Sequence, residues 1–252
     1  MKNKMKVIAV LPARNVEKTL ELTVNDIPKD IVNEIILVDN ASNDATVEIA
    51  KKLGLKVIQH DKDLGYGGSQ KTLYRQALTD GADIIIMIHP DYQYDPKLAP
   101  YMVAFIQQGI CDVMLGNRIR TRQEALGGGM PLYKYISNRF LTFLQNLIMD
   151  ENLGEWHSGL RAFSREVLET IPWENNSNDY VFDQEILAQV AAFGFKMGDI
   201  PVPAKYFSDA SSISFRRSVV YGLSTLRVML QYILNKTGIC HSNLFMKIKN
   251  ER

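Results

Sequence analysis

Four residues able to hold cations or move protons crowd the segment HPDYQYDP: His89, Asp91, Gln93 and Asp95 follow the apolar run Ile84–Ile88 directly. Carboxylates at the exit of a buried strand are costly unless something binds them. Their oxygens suit hard cations such as Mg²⁺ or Mn²⁺, which leave room for substrate phosphates. Asp39 follows the apolar run IILV in the same way. One acidic residue at a strand end caps a turn. Two at comparable places point to a ligand, with Asp39 accepting hydrogen bonds from a ribose or base and Asp91 holding a divalent cation. Asp95 is assigned instead to capping the helix that Pro96 opens.

Elements that can position these residues are legible along the first half. MKVIAVLP reads as a strand, VEKTLELTVNDI as a helix and NEIILVDN as a strand. DATVEIAKKLG follows as a helix that Ser42 or Asn43 caps, then LKVIQH as a strand and GGSQKTLYRQALTDG as a helix. The run before His89 is the fourth strand, Pro96 to Gln108 a helix and CDVMLGNR a fifth strand. This alternation predicts an α/β fold, a mostly parallel central sheet flanked by helices. Ligands bind such sheets beyond the carboxyl ends of the strands. There the sequence sets Pro12-Ala13-Arg14-Asn15, Asp39-Asn40, Asp61 to Gly68, and His89 to Asp95.

Past Arg118 the pattern changes. RTRQEALGGGMP reads as a long polar loop, LYKYISNRFLTFLQNLIM as a helix and SGLRAF as a short extended piece. DYVFDQEILAQVAAFG is helical, FKMGDIPVPAKYF an edge strand broken by prolines, and Phe215 to Leu234 an apolar helix punctuated by Arg216, Arg217 and Arg227.

Composition removes several function classes. The 252 residues carry a formal charge of +1, which implies no broad cationic surface and no nucleic-acid partner. Two cysteines, Cys111 and Cys240, build neither a disulfide framework nor a thiolate cage. No run reaches the ~18 apolar residues a bilayer span needs. A cytoplasmic enzyme is the expectation. GYGGSQKT nearly matches a P-loop, but Gln70 stands where that loop needs glycine, so an ATPase is rejected. Its glycines Gly65, Gly67 and Gly68 precede a helix and can let backbone amides approach an anion, with Lys71 as a nearby charge. The turn after the first strand, PARNVEKT, lacks the dinucleotide glycines, which argues against nicotinamide or flavin.

The ordered set VLPARNVEKTLELTV, ILVDNASNDAT, DLGYGGSQKT, HPDYQYDP, MLGNR and EWHSGLRAF resembles the inverting family-2 glycosyltransferases of the GT-A fold, nearest the dolichyl-phosphate mannose synthase-like branch. The likeness runs to about residue 215. It implies a GT-A domain over 1–214 and an amphipathic C-terminal helix and tail over 215–252. It further implies a nucleotide pocket of Pro12, Ala13, Arg14, Asn15, Asp39 and Asn40, the last loop supported by Asp44, with Gly65, Gly67, Gly68 and Lys71 bordering the donor. His89-Pro90-Asp91 matches the family's D-x-D metal motif, with Gln93 following. His89 departs from it: a neutral imidazole binds Mn²⁺ but removes one negative charge. Arg118, Lys134, Arg139, His157, Ser158, Gly159 and Arg161 fall on the acceptor side.

What the resemblance implies is sugar transfer from a UDP- or GDP-sugar to a polyprenyl phosphate, with Mg²⁺ or Mn²⁺ as cofactor. Transfer to a hydroxyl of a soluble saccharide is the alternative, and a non-catalytic nucleotide-sugar binder is an alternative of another class. A hydroxyl acceptor needs a general base, for which Glu155 and Asp183 are the candidates. A phosphate monoester, with a second pKa near ~6, needs only cations to position it. The helix over 215–234 either lies on the cytoplasmic membrane face to collect a lipid or packs on the domain or a second subunit.

Overall fold

Alternate side chains of β1 (Val7–Ala13) enter two different cores: Ile8 and Val10 one, Val7, Ala9 and Leu11 the other. β4 (Ile84–Met87) divides likewise, with Ile85 and Met87 opposite Ile84 and Ile86. A sheet apolar on both faces must be covered on both. In the computed structural model, which describes residues 5–203 and 215–246, helices supply that cover. One face carries α1 (Leu20–Asp26), α2 (Thr46–Lys52) and α4 (Ala99–Gln107). The other carries α3 (Tyr66–Thr79), α6 (Leu132–Met149), α7 (Arg165–Thr170), α8 (Phe182–Ala192) and α9 (Phe215–Lys236).

The remaining strands are β2 (Glu34–Asp39), β3 (Lys56–Gln59), β5 (Val113–Asn117), β6 (Arg161–Ser164) and β7 (Met197–Pro201). The seven strands lie in the order β3-β2-β1-β4-β6-β5-β7. All pair parallel except β6, which runs antiparallel between β4 and β5. This reversal has a functional consequence. Arg161, the first residue of β6, pairs with Met87 at the end of β4 and with Leu115 of β5. The segment leading into β6 therefore arrives where the parallel strands terminate.

Three local readings are corrected. α1 starts at Leu20 rather than Val16, because the amides of Val16 and Glu17 are taken by Thr46 Oγ1 at 2.8 Å and Asp44 Oδ2 at 3.1 Å. Neither Ser42 nor Asn43 caps α2: the Ser42 hydroxyl accepts the Asn15 amide at 2.9 Å, and α2 begins beyond Ala45. The expected polar loop after Arg118 contains a helix, α5 (Arg122–Gly127), whose Thr121 hydroxyl accepts the Glu124 amide at 3.1 Å. That T-x-x-E spacing is a helix-start signal, and Ala125, Ile119 and Met130 bury a small core beneath it. β7 is the expected edge strand; the part of that reading from Ala204 onward lies outside the described residues. Asp95 caps as expected, accepting the Lys97 amide at 3.0 Å.

Candidate active site

The loops leaving β1, β2 and β4 each turn through a non-glycine residue in the left-handed region: Asn15 at φ 52°, Ala41 at 58° and Tyr92 at 56°. Such residues persist only where surrounding contacts over-determine them. Asn15 Oδ1 accepts the Asn43 amide at 2.8 Å, and the Tyr92 hydroxyl donates to Asp26 at 2.5 Å. The β1 and β2 loops are thereby held against each other, and the β4 loop against the end of α1.

Asp39 ends β2 almost wholly buried, at 2% exposure. Its Oδ2 accepts the Ser42 amide at 3.2 Å, while Oδ1 is buried with no partner among the described residues. A lone carboxylate oxygen of this kind fits the N–H or O–H of a nucleoside. Asn40 beside it is fully engaged: Oδ1 accepts the Leu64 amide at 2.9 Å and faces His60 Nδ1 at 3.1 Å, and Nδ2 donates to Asp63 at 2.6 Å. Asp63, within the Asp61 to Gly68 stretch expected at this edge but given no role there, also pairs with Arg14. The Gly65 amide, then Asn40 and Arg14, hold its carboxyl below the usual range.

The glycines after β3 have a different task from the one expected. The Gly67 and Gly68 amides donate to Asn178 O at 2.8 and 3.4 Å rather than standing open to an anion. A Cβ on Gly65 would lie 2.2 Å from Asn178 O, and one on Gly67 2.3 Å from Ser177 O. Lys71 braces the same backbone, donating to Asn176 O at 2.5 Å and Asn178 Oδ1 at 2.9 Å. Glycine is needed here so that this segment can lie on α3, which sets Tyr180 against Tyr66, ring centroids 5.2 Å apart, and aims Asp183 inward.

Asp183 is enclosed by donors: Gln70 Nε2 at 2.7 Å, the Tyr66 hydroxyl at 3.1 Å and, as an ion pair, Arg161 at 2.6 Å. Arg161 is fully buried and also donates Nε to Ser158 O at 2.8 Å. An ionised Asp183 can only accept, so the single Tyr66 proton goes to it. The Tyr66 oxygen then accepts from His89 Nε2, 3.0 Å away. Burial pushes His89 down, so the ring is neutral, with the lone pair on Nδ1, which has no partner among the described residues. A Cβ on Gly159 would stand 2.5 Å from this imidazole, and the Gly159 amide donates to the Tyr94 hydroxyl at 2.9 Å. Ser158 is buried, its Oγ accepting the Leu160 amide at 3.3 Å.

Asp91, 5% exposed, turns Oδ1 to the Gln93 amide at 3.1 Å. Pro90 O accepts the Thr19 hydroxyl at 2.7 Å. No cluster of three or more His, Cys, Asp or Glu among the described residues can hold a metal by itself. Asp91 with His89 Nδ1 nonetheless fits a cation that takes its remaining ligands from water and substrate phosphate.

Arg118, at the end of β5, grips Glu155. Its amide reaches Oε2 at 2.7 Å, its Nε reaches Oε1 at 2.9 Å, and Nη2 donates to His157 O at 2.9 Å. Asn138 adds a bond to Oε1 at 3.2 Å, so wholly buried Glu155 already accepts on both oxygens. Arg139 turns aside to Gly154 O at 2.9 Å.

Two cavities meet on these residues. A cleft of about 1130 Å³ is lined by Pro12, Ala13, Arg14, Asn40, Asp63 and Gly65. A second, of about 430 Å³, lies between α6 and α9 and is lined by Arg118, Lys134 and His157 among apolar side chains such as Phe140, Leu141 and Leu223. Tyr66, His89, Asp91, Tyr180 and Tyr221 wall both. Arg118 and Lys134 thus stand at the second cavity, whereas Arg139 and Arg161 do not line it.

Residues 8–172 match the model of glycosyl transferase family 2. The chain belongs to that family. It is 31% identical to an uncharacterised protein, MJ1222, of Methanocaldococcus jannaschii, over 93% of each chain. It is 28% identical to the UDP-N-acetylglucosamine–dolichyl-phosphate N-acetylglucosaminyltransferase of Methanococcus voltae, over 78% of this chain and 84% of that one. Among solved structures, glucosyl-3-phosphoglycerate synthase from Mycobacterium tuberculosis, bound to phosphoglyceric acid, superposes with a TM-score of 0.69 at 20% identity. That match covers 94% of this chain and 82% of the other. The same enzyme with Mn²⁺, UDP and phosphoglyceric acid gives 0.68 at 18% identity, over 91% and 78%. The protein is a glycosyltransferase with the GT-A fold expected from its motifs.

Tyr66, Asp63, Tyr180 and Tyr221 of this glycosyltransferase were assigned no role in the sequence reading, although Asp63 and Tyr66 lie within the Asp61 to Gly68 stretch it set at this edge. Tyr66 lay within the quoted GYGGSQKT and carried one clue, a phenol among loop glycines; Tyr221 carried no local signal.

One prediction concerns acid stability. Burial, then the charges of Arg118 and Arg161, push His157 down to about 3 from 6.5. Between those values the unfolded chain binds a proton that the folded chain does not. Stability is therefore present above pH 6.5 and lost as pH falls, by up to ~1.4 kcal/mol per pH unit from this group. Urea titrations at stepped pH should show that slope in the wild type and a shallower one in His157→Gln.

Proposed function

We propose that this glycosyltransferase moves a sugar, with inversion, from a UDP- or GDP-sugar to the phosphate of a polyprenyl lipid of dolichyl or undecaprenyl type. The observation that carries the reading is the meeting, at Asp91, of a polar cleft with an apolar cavity that contains Arg118 and Lys134. A lipid phosphate has matching halves, an acyl-like chain and a dianionic head. The curated relative in Methanococcus voltae, named for transfer to dolichyl phosphate, supports the same acceptor class.

In this reading the nucleoside lies along Pro12–Asn15 with Asp39 Oδ1 as acceptor. Asp91 and His89 would hold Mg²⁺ or Mn²⁺. When bound, the cation neutralises the charge that grows on the departing diphosphate. Arg118 and Lys134 orient the acceptor phosphate, whose oxygen forms the new bond to C1 as the C1–O bond to the diphosphate breaks on the opposite face. Gln93 borders that path on the cavity wall. No proton needs to be removed from the acceptor. That matters because Glu155 and Asp183, the candidate bases for a hydroxyl acceptor, are each occupied by a guanidinium and amide donors.

The lipid would be drawn from a membrane face. α6 exposes Leu132, Ile136, Phe140, Phe143 and Leu147, and α9 exposes Val219, Leu223, Leu226 and Leu230. Their only charged residues are cations: Lys134, Arg139, Arg216, Arg217, Arg227 and Lys236. Such helices lie in the headgroup region of anionic bilayers. No helix among the described residues is long and apolar enough to cross one. The inner side of α9 is committed elsewhere, with Val228, Met229 and Tyr232 in the domain core.

The deciding experiment supplies radiolabelled UDP- and GDP-sugars with Mn²⁺ and either a polyprenyl phosphate, the corresponding polyprenol or a soluble sugar. Label should enter the organic phase with the phosphate alone. Label passing to the polyprenol or the soluble sugar instead would sink the proposal.

A further inference from the structure

The cavity between α6 and α9 contains one donor that the fold prepares and leaves unused. Gln145 Nε2 donates to Gln184 Oε1 at 2.6 Å, which orients the buried Gln184 amide. Its nitrogen then donates to Trp156 O at 3.2 Å and to the Tyr221 hydroxyl oxygen at 2.5 Å. Accepting that hydrogen bond, Tyr221 directs its own hydroxyl hydrogen to its other side-chain partner, His157 Nδ1, 3.0 Å away. Arg118 and Arg161 both disfavour a charged imidazole here. A neutral ring that accepts at Nδ1 carries its proton on Nε2. That nitrogen is buried and has no partner among the described residues.

We infer that His157 Nε2–H, held in this tautomer by Tyr221 and Gln184, is a neutral hydrogen-bond donor to a phosphate oxygen of the acceptor, beside Arg118. The inference rests on the lipid-phosphate reading above and deepens it by naming the atom that reads the headgroup. Three observations carry it together. The donor is buried without a partner, a state that native structures rarely leave unexplained. His157 lines the same cavity as Arg118 and Lys134. Arg118 Nη2 is tied to the His157 backbone carbonyl, while the imidazole is held by Tyr221. A phosphate has acceptor oxygens enough for a cation and a neutral donor at once. Tyr221 and Gln184 act through His157 and are positioning residues.

The test uses the full chain labelled with ¹⁵N-histidine, with geranyl phosphate and geraniol as probes. His157 should show the Nε2–H tautomer from about pH 5 to pH 8. Geranyl phosphate should shift that resonance, and geraniol should not. His157→Phe should weaken geranyl phosphate binding about tenfold or more, and His157→Gln, which keeps a donor, should restore most of it. Tyr221→Phe should mix the tautomers and weaken binding in proportion, so the inference stays testable if His157→Phe does not fold. An Nδ1–H tautomer in the wild type, or binding that a folded His157→Phe leaves unchanged, overturns this inference alone. Wild type that binds UDP but not geranyl phosphate overturns the lipid-phosphate reading with it.

Discussion

Asp91→Ala should lower turnover by about 10²–10³-fold or more, with little change in stability. The carboxylate sits where both cavities meet, 5% exposed, and its Oδ1 accepts the Gln93 amide. Losing that bond costs roughly 1 kcal/mol. On the proposed reading, losing the anion also removes the anchor for the cation that would neutralise charge on the departing diphosphate. Initial rates with saturating Mn²⁺, set beside a thermal melt of the same preparation, separate the two effects. His89→Asp is the informative companion, because it restores the family's acidic residue while breaking the relay through Tyr66. A variant Asp91→Ala that turns over like wild type would remove Asp91 from the chemistry.

Arg161→Ala should cost about 3–5 kcal/mol of folding free energy, a large share of the ~5–15 kcal/mol typical of a domain. Arg161 is wholly buried, and its removal leaves Asp183 charged in a cavity with only Tyr66 and Gln70 as donors. Without the guanidinium, the hydrogen-bond direction through Tyr66 to His89 is no longer imposed. Replacing both partners, as Arg161→Met with Asp183→Leu, should destabilise less than Arg161→Ala alone, because no uncompensated charge remains. Urea midpoints of wild type and the two variants give the comparison. Equal midpoints for Arg161→Ala and wild type would mean that the pair carries no net stabilisation.

Local periodicity marked the strands and helices because burial on a face repeats every two or 3.6 residues, whatever the partner. From it alone, β1 to β5 and their intervening helices were legible, and so was the gathering of Asp39 and Asp91 at one edge of the sheet. α5 was missed although its Thr121–Glu124 spacing was there to be read. The donors and acceptors of the site were another matter. Whether the Gly67 amide meets a phosphate or a carbonyl depends on Asn178, more than a hundred residues away. Arg118, Arg139 and Arg161 are alike in sequence, yet one reaches the cavity between α6 and α9, one turns to Gly154 and one is buried on Asp183.

The sequence by itself determined which segments are buried, where the strands end and, through its ordered motifs, the family and its transferase fold. Only the tertiary structure decided which polar atoms are spent on the protein and which are left for a substrate. The antiparallel insertion of β6 brings residues 155–161 beside the end of β4, and Tyr66 meets Asp183 across 117 positions of chain. Hydrogen-bond satisfaction is a property of atoms brought together by folding, and no local pattern encodes it.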